Sequence, residues 1–249
     1  MWPDAGAGHN ATMVKEDHRT RVAAERRDRM RRRLFASAIQ LVAKQGTATT
    51  SIDDVIRTAD VSRGTFYKYF DAVDTLFDQL ALVVLNEIIE TVEPGVIQFE
   101  HPAERMATGM RMVVQLVLAN RQIAGFLVRM GWPETRGGEV LMDLPRRDLE
   151  EGFRRGKFVA MPMELALNIV SMTVLGSVHA LLAPRVPAGF VDQAVASALR
   201  ALGVQHKDAV RIASMPLPAA TPVEGGLLEL PLAAGSQRKA VARRRPAGG

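Results

Sequence analysis

The stretch from residue 46 to residue 70 constrains this chain most, because it predicts two short helices joined by a tight turn. Ser51 and Asp54 have the S-x-x-D spacing of a capping box, which predicts that a helix begins after Ser51. Ser62 is a favourable cap for a second helix that continues to about residue 69. The turn between them is centred on Asp60, and Asp adopts the left-handed conformation more readily than most residues other than Gly. This arrangement is typical of a helix-turn-helix, whose second helix enters the major groove of DNA.

A further helix is predicted to precede this pair. From Ala23 onward the apolar side chains follow helical spacing, and Gly46 is placed to end that helix in a left-handed conformation. Residues 1–22 show no apolar period and contain Gly and Pro, so we expect a mobile N-terminal arm there. The three helices together predict a DNA-binding domain over residues 23–71.

The rest of the chain also shows helical periods and little of the alternation that marks strands, so the predicted fold class is all-α. After residue 71, helices are predicted at about residues 72–89, 103–120, 121–130, 138–156, 163–182, 190–202 and 207–214. These segments make residues 72–215 a helical body. From residue 216 the chain is rich in Pro, Ala and Gly and ends in a basic run, so residues 216–249 are predicted to be a disordered basic tail.

The charge is concentrated at the two ends of the chain. Residues 1–70 carry 13 Lys and Arg against 8 Asp and Glu, whereas residues 71–234 carry 14 against 19. A basic N-terminal third on an acidic body indicates a polyanionic partner at that end. The chain has no Cys, which excludes disulfides, thiolate metal sites and a cysteine nucleophile.

Residues 59–70, which read A-D-V-S-R-G-T-F-Y-K-Y-F, resemble the helix-turn-helix of TetR-family transcriptional regulators. The likeness extends over about residues 28–80 and includes the Val-Ser pair, the Gly-Thr pair, Tyr67 and Phe70. Where that family often has Lys at the start of its fourth helix, this chain has Val73, so we expect the arginines at 26–33 to supply phosphate contacts instead. The resemblance implies a three-helix DNA-binding domain followed by a larger helical domain for ligand binding and dimerisation. It also implies a sequence-specific regulator, in most cases a repressor.

The second helix of the pair carries the side chains best suited to DNA. Arg63 offers the paired donors that recognise a guanine edge, and Gly64 allows the two backbones to approach closely. Tyr67 and Lys68 are expected to bind phosphates, which fixes the position of the helix without reading the sequence. The residues predicted to contact DNA are Arg31, Arg32, Thr50, Ser51, Ser62, Arg63, Gly64, Thr65, Tyr67 and Lys68.

The same resemblance implies a ligand pocket and a homodimer. Flexible apolar side chains of the middle helices would line a pocket for a small apolar effector that releases the protein from its DNA operator. The expected pocket residues are Met106, Met110, Phe126, Met130, Trp132, Met142 and Met172. Small residues on the last two long helices would let two subunits pack closely. The expected interface residues are Gly176, Ala180, Ala194 and Ala198.

Other functional classes are less consistent with the sequence. A helical protein-interaction module without specific DNA binding is the alternative, and the clustered arginines at 26–33 argue against it. The sequence has no His-x-x-x-His pair, phosphate-binding loop, nucleophile elbow or dinucleotide-binding turn, so we expect no catalysis, metal ion or cofactor. Residues 165–183 have the length of a membrane span but include Asn, Ser, Thr and His, so we expect a buried helix in a cytoplasmic protein.

Overall fold

The computed structural model describes the backbone of residues 7–130 and 139–229, and the side chains of residues 21–130 and 141–229. The described chain consists of helices and their connections and contains no strand, which confirms the predicted all-α fold. The described helices are α1 (Ala7–Gln45), α2 (Ile52–Ala59), α3 (Arg63–Tyr67), α4 (Val73–Val96), α5 (Pro102–Ala119), α6 (Arg121–Met130), α7 (Glu139–Arg154), α8 (Met163–Leu182), α9 (Phe190–Ala201) and α10 (His206–Ala213).

Helix α1 begins at Ala7, so the prediction that it starts at Ala23 is wrong. Residues 7–22, which were expected to form an arm, are helical. This segment contains Ala, Met, Lys, Glu and Arg, which are good helix formers, and extending an existing helix avoids the cost of nucleation. The sequence shows no apolar stripe in this part of the helix, because nearly every side chain from residue 21 to residue 29 is exposed. The helix could therefore not be predicted there from apolar spacing.

Aromatic side chains hold the first three helices together. Phe66 and Phe70 lie one helical turn apart and are almost fully buried, as their spacing predicts. Their ring centroids are 5.9 Å apart, and Phe35 of α1 lies 5.6 Å from Phe70. Leu76 and Phe77 of α4 are buried in the same cluster, so α4 is packed directly onto the DNA-binding domain.

Helix α4 continues to Val96, beyond its predicted end near residue 89. It passes through Pro94, which removes one helical hydrogen bond, and the carbonyl group left without that bond belongs to the exposed residue Glu90. Its N-terminal half packs on the DNA-binding domain, and its C-terminal half packs on α5 and α7. A second apolar cluster joins α5 to α7, α8, α9 and α10.

Residues 216–229, here called the C-terminal strap, cross the surface of α4 instead of forming a disordered tail. Leu227 and Leu228 are only 2% and 8% exposed. The Glu87 carboxylate accepts the backbone N–H groups of both residues, at 2.9 Å and 3.0 Å. The sequence did not predict this packing, because the segment is rich in Pro and because Glu87 is distant in sequence from the two Leu residues. The basic run of residues 230–249 lies outside the described residues.

Candidate nucleic-acid interface and buried cavity

The capping box at the start of α2 is formed as the sequence predicts. The Ser51 hydroxyl oxygen accepts the backbone N–H of Asp54 at 3.2 Å, and the Asp54 carboxylate accepts the backbone N–H of Ser51 at 3.1 Å. The Ser51 hydroxyl also donates to the Asp54 carboxylate at 2.7 Å, and this hydrogen bond, together with the one from the Ser51 backbone N–H, holds the pKa of Asp54 below its ordinary value. Ser51 itself stays exposed, so the N-terminal end of α2 faces solvent.

The turn between α2 and α3 depends on Asp60, which adopts the left-handed conformation with φ 49° and ψ 56°. Its backbone N–H continues the hydrogen bonding of α2. Arg33 reaches from α1 and donates both to the carbonyl oxygen of Asp60, at 3.3 Å, and to its carboxylate, at 3.2 Å. Arg33 therefore connects α1 to the turn, a contact that the arginine run did not indicate because the two residues are far apart in sequence.

Helix α3 is short and presents most of its polar residues to solvent. Ser62 caps it by accepting the backbone N–H of Thr65 at 3.1 Å, and the two hydroxyl groups lie 2.9 Å apart. Gly64 is exposed, and a Cβ atom built there would meet only the Ser62 hydroxyl oxygen, at 3.9 Å. Nothing within the described chain therefore requires Gly at this position.

Arg63 is held in place by Asp53. Its guanidinium forms an ion pair with the Asp53 carboxylate across the turn, and this hydrogen bond raises the pKa of Arg63 above its ordinary value. Both side chains are more than half exposed. An exposed pair of this kind contributes little to stability, so another partner can displace it readily.

Tyr67 and Lys68 complete the exposed face of α3. The Tyr67 ring is 47% exposed and stands edge-on to the Phe66 ring, with centroids 5.7 Å apart. The Tyr67 ring thus packs on a buried ring while much of the residue stays exposed. Arg63, Gly64, Tyr67 and Lys68 together form a continuous polar face, here called the α3 face.

Three other residues predicted to contact DNA have different surroundings. Thr50 is only 5% exposed, and its hydroxyl donates to the Gly46 carbonyl oxygen at 2.6 Å, which closes the loop before α2. Arg31 stacks on the Phe35 ring at 5.1 Å. Arg31 and Arg32 both line a cleft between α1, α4 and the C-terminal strap. Thr50 is therefore buried within its own loop, and Arg31 and Arg32 line the cleft.

An apolar cavity of about 90 Å³ lies between α4, α5, α7 and α8. Three of the predicted pocket residues, Met106, Met110 and Met142, line it. Ile88, Val92 and Val113 contribute to its apolar walls. Helix α4 therefore both lines the cavity and packs on the DNA-binding domain.

The other predicted pocket residues that the structure describes do not line this cavity. Phe126 is fully buried, and Met130 packs against the same core, because α6 packs against α1 instead of enclosing the cavity. Met172 is 45% exposed, on the outer face of α8. Trp132 lies outside the described residues.

One wall of the cavity is polar, because Arg105 crosses it between two carboxylates. Its Nε donates to Asp148 at 2.8 Å, and a terminal nitrogen pairs with Glu151. Its remaining nitrogen donates to the carbonyl oxygens of Phe99 and Glu100, at 3.3 Å and 3.2 Å. Burial raises the pKa of Asp148 above its ordinary value, although Arg147 and Arg105 oppose this shift.

Arg147 extends this network to α4. It donates to Glu93 at 2.7 Å and to Asp148 at 3.1 Å, so one guanidinium holds the two carboxylates side by side. Glu93, Arg105 and Asp148 all line the cavity. The sequence did not reveal this cluster, since the pairs that join α4 or α5 to α7 are 43 to 54 residues apart.

The last long helices carry an exposed face that includes part of the predicted dimer interface. Gly176 is exposed, and Ala180 and Ala194 are partly exposed, but Ala198 is 4% exposed and belongs to the core of its own chain. Among the described helices, α8 is long and apolar enough to span a membrane by length and composition alone, and a third of its most apolar window is buried. A helix that packs within a soluble protein meets the same criteria.

Both domains match models of one protein family. Residues 34–80 match the model of bacterial regulatory proteins of the tetR family. Residues 101–215 match the model of the tetracyclin repressor-like C-terminal domain. No curated protein matches the sequence of this chain closely enough to be significant.

Solved structures of other proteins have a similar fold. RolR in complex with resorcinol is 28% identical to this chain, with a TM-score of 0.63; the match covers 80% of this chain and 100% of RolR. A TetR-family regulator from Shewanella sp. PV-4 is 19% identical over 71% of this chain and 99% of its own, with a TM-score of 0.61. The fatty acid degradation regulator FadR from Bacillus halodurans is 17% identical over 71% and 97%, with a TM-score of 0.58. The last two matches show the fold alone.

The helix-turn-helix, the helical body behind it and the two family models agree, and the chain belongs to the TetR family of DNA-binding transcriptional regulators.

Proposed function

We propose that this protein is a homodimeric repressor that binds an operator through the α3 face and leaves it when a small, mainly apolar effector occupies the cavity. The observation that carries the DNA-binding part is the α3 face itself. The buried rings of Phe66 and Phe70 anchor α3 on its other side, while Gly64 leaves the backbone open without serving any packing need of the described chain. A surface that must come close to DNA explains such a Gly.

Some of the proposed contacts recognise bases, and the others bind phosphates and position the helix on the DNA. Arg63 would recognise a guanine edge once DNA displaces its exposed pair with Asp53, and Thr65 would contact a thymine methyl group or a phosphate. Tyr67 and Lys68 would bind phosphates. Ser51 and Ser62 lie at the N-terminal ends of their helices, where backbone N–H groups favour phosphate oxygens.

We propose a dimer because the DNA-binding surface on one chain is small. One helix-turn-helix reads a half-site, and a two-fold dimer reads two half-sites and gains affinity. We propose that α8 and α9 form the dimer interface. The apolar side chains of Leu165 and Met172 are exposed on α8, and Gly176 on the same helix allows close approach.

Effector binding would act through α4. This helix starts at Val73, shortly after α3, and carries Ile88, Val92 and Glu93 into the cavity wall. A ligand that separates α4 from α5 would shift the population toward a conformation with a different spacing of the two α3 faces. RolR, whose structure was solved with resorcinol, supports an effector of small size. We also propose that the protein acts in the cytoplasm, and by binding alone.

The decisive experiment measures operator binding by the full chain. Fluorescence anisotropy with DNA from upstream of its own coding region should show specific binding that scrambled DNA of equal length does not match. Equal affinity for the two duplexes would contradict a sequence-specific regulator and would favour the alternative, a protein-interaction module. Titrating small ring compounds into the complex then tests regulated release.

A further inference from the structure

The cavity contains a buried acceptor that lacks a donor. One oxygen of Glu93, Oε1, accepts from Arg147 at 2.7 Å, whereas the other, Oε2, is buried and has no hydrogen-bond partner among the described residues. A buried acceptor without a donor costs roughly 1–3 kcal/mol, and more when it is charged. Because Glu93 lines an otherwise mainly apolar cavity, a donor in that cavity would remove this cost.

A second carboxylate lies beside the first. Asp148 also lines the cavity and is 3% exposed. Arg105 and Arg147 both donate to its Oδ1. Arg147 pairs with both Asp148 and Glu93, so the Asp148 carboxylate is a neighbour of the one that carries Oε2 of Glu93. A ligand in the cavity that carries two donors can therefore donate to both carboxylates.

The ion pairs in the polar wall of the cavity make a charged ligand unfavourable. Three guanidinium groups pair with three carboxylates in this network: Arg105, Arg147 and Arg155 with Glu93, Asp148 and Glu151. The network is thus already balanced. A ligand carboxylate or ammonium would add an uncompensated charge to a buried site, which is costly. Neutral hydroxyl groups supply donors without adding charge, and hydrogen bonds to a carboxylate are strong.

The size of the cavity restricts the ligand further. Its volume of about 90 Å³ is smaller than the ~150 Å³ of an apolar cavity known to hold benzene. A single ring therefore fits only after a modest rearrangement. Met106, Met110 and Met142 line the cavity, and unbranched thioether side chains adjust to such a guest more easily than branched ones.

We propose that the effector is a neutral molecule of about one ring that carries hydroxyl groups, one of which donates to Oε2 of Glu93 and a second to the Asp148 carboxylate. This inference rests on the proposed function, because it names the chemical class of that effector. Glu93 then determines specificity, since it favours a hydroxyl group over an ether or a carboxylate at the same ring position.

The test compares four probes by isothermal titration calorimetry with the full chain and no DNA. Resorcinol carries two hydroxyl donors, phenol one and 1,3-dimethoxybenzene none, while benzoate carries a negative charge. We expect resorcinol to bind most tightly and dimethoxybenzene at least about tenfold more weakly, the usual scale of a hydrogen bond to a charged group. Equal affinity for resorcinol and its dimethyl ether, or tightest binding of benzoate, would overturn the proposal.

Glu93→Gln sharpens the test without changing the size of the side chain. If the amide oxygen of Gln accepts from Arg147 as Oε1 of Glu93 does, the NH₂ group of Gln takes the place of Oε2. A donor then stands where the cavity had a free acceptor. We expect this variant to lose affinity for resorcinol and to gain relative affinity for dimethoxybenzene. The matched control is Glu90→Gln, an exposed residue on the same helix, which should leave the order of the probes unchanged.

A parallel anisotropy measurement separates this inference from the proposed function. If probe binding follows the hydroxyl groups but operator affinity does not change, the recognition chemistry stands and regulated release is wrong. If a ring compound without hydroxyl groups releases the operator as well as resorcinol does, release stands and the recognition chemistry is wrong. Thermal melting of Glu93→Gln verifies that it is folded. A shift in probe preference in that folded variant is an effect that loss of structure alone would not produce.

Discussion

Asp53, near the start of α2, holds the guanidinium of Arg63, the first residue of α3. The pair spans the turn of the helix-turn-helix and orients Arg63 before any DNA is present. Its side chains are 65% and 55% exposed, so water screens the attraction and its contribution to folding is small. Arg63 is therefore positioned by an ion pair that can be exchanged for DNA at little cost.

Arg63→Ala should weaken operator binding by roughly 1–3 kcal/mol, because the variant no longer donates paired hydrogen bonds to a base. The melting temperature should change little, since the pair with Asp53 is exposed. Anisotropy with operator and scrambled duplexes measures the effect. Arg154→Ala, which removes an exposed arginine from α7, is the control. An equal decrease in affinity for both duplexes would show that Arg63 binds a phosphate instead.

Gly64→Ala should separate binding from stability. Ala is up to about 1 kcal/mol more favourable than Gly inside a helix, and the added Cβ meets no close neighbour. The variant should thus be at least as stable as the parent protein, yet bind the operator more weakly because the methyl group stands between α3 and DNA. Urea denaturation and anisotropy measure the two quantities.

Gly203→Ala should change stability and not operator affinity, the reverse of what is expected for Gly64→Ala. Gly203 has φ +95°, and a Cβ there would lie 2.5 Å from a methyl carbon of Val159. This substitution should lower stability and leave the operator affinity of the folded protein unchanged. If Gly64→Ala loses stability as well, its effect on DNA binding would not establish close approach.

Local spacing predicted the helix-turn-helix well. The caps Ser51 and Ser62, the left-handed Asp60 and the buried Phe66–Phe70 pair all depend on residues within about four positions of one another, which the sequence displays directly. Helix existence in the body was predicted equally well, because a period of 3.6 residues is also a local property.

Contacts between distant segments could not be predicted in this way. Arg33 looks like one more arginine of a basic run, and only the packing of α1 beside the turn gives it Asp60 as a partner. The polar wall formed around Arg147 requires α4 and α7 to be neighbours, which no spacing indicates. The Met positions were predicted by residue type, so those that face the cavity, such as Met106, were not distinguished from those that face solvent, such as Met172.

The exposed arginines of α1 should control the salt dependence of DNA binding. Arg26, Arg27 and Arg29 are exposed and form no ion pair within the described part of the chain. Changing all three to Ala should reduce the slope of log K against log salt by about 1 for each phosphate that the variant no longer binds. Anisotropy at several salt concentrations measures this slope. An unchanged slope would contradict the role proposed for this run.

A control for this experiment removes the same number of charges elsewhere. Three exposed arginines of the C-terminal domain serve the purpose: Arg154, Arg185 and Arg200. Their triple Ala variant has the same net charge as the α1 variant. It should keep the salt slope of the parent protein if the phosphate contacts are local to α1.

The capping box should make stability depend on pH in acid. Hydrogen bonds from Ser51 lower the pKa of Asp54 in the folded state, so the ionised carboxylate stabilises the fold. This contribution is fully present above the unfolded value of 3.8 and is lost as the pH falls through the lower, folded value. The difference in melting temperature between the parent protein and Asp54→Asn should therefore shrink as the pH is lowered from about 6 to 2. A difference that grows in acid would contradict this assignment.

Glu87 should hold the C-terminal strap on α4. Its carboxylate accepts the N–H groups of Leu227 and Leu228, and a Cβ on Gly226 would lie 2.8 Å from the same carboxylate. Glu87→Ala removes both acceptors, at a cost of about 1.5–3 kcal/mol for each hydrogen bond to a charged group. This cost can be met by detaching the strap without unfolding the helices, so hydrogen exchange is the appropriate measurement. The amides of Leu227 and Leu228 should exchange faster while those of α9 keep their protection, and exposed Glu90→Ala should change neither. Unchanged protection at residues 227 and 228 in Glu87→Ala would show that the Leu side chains alone retain the strap.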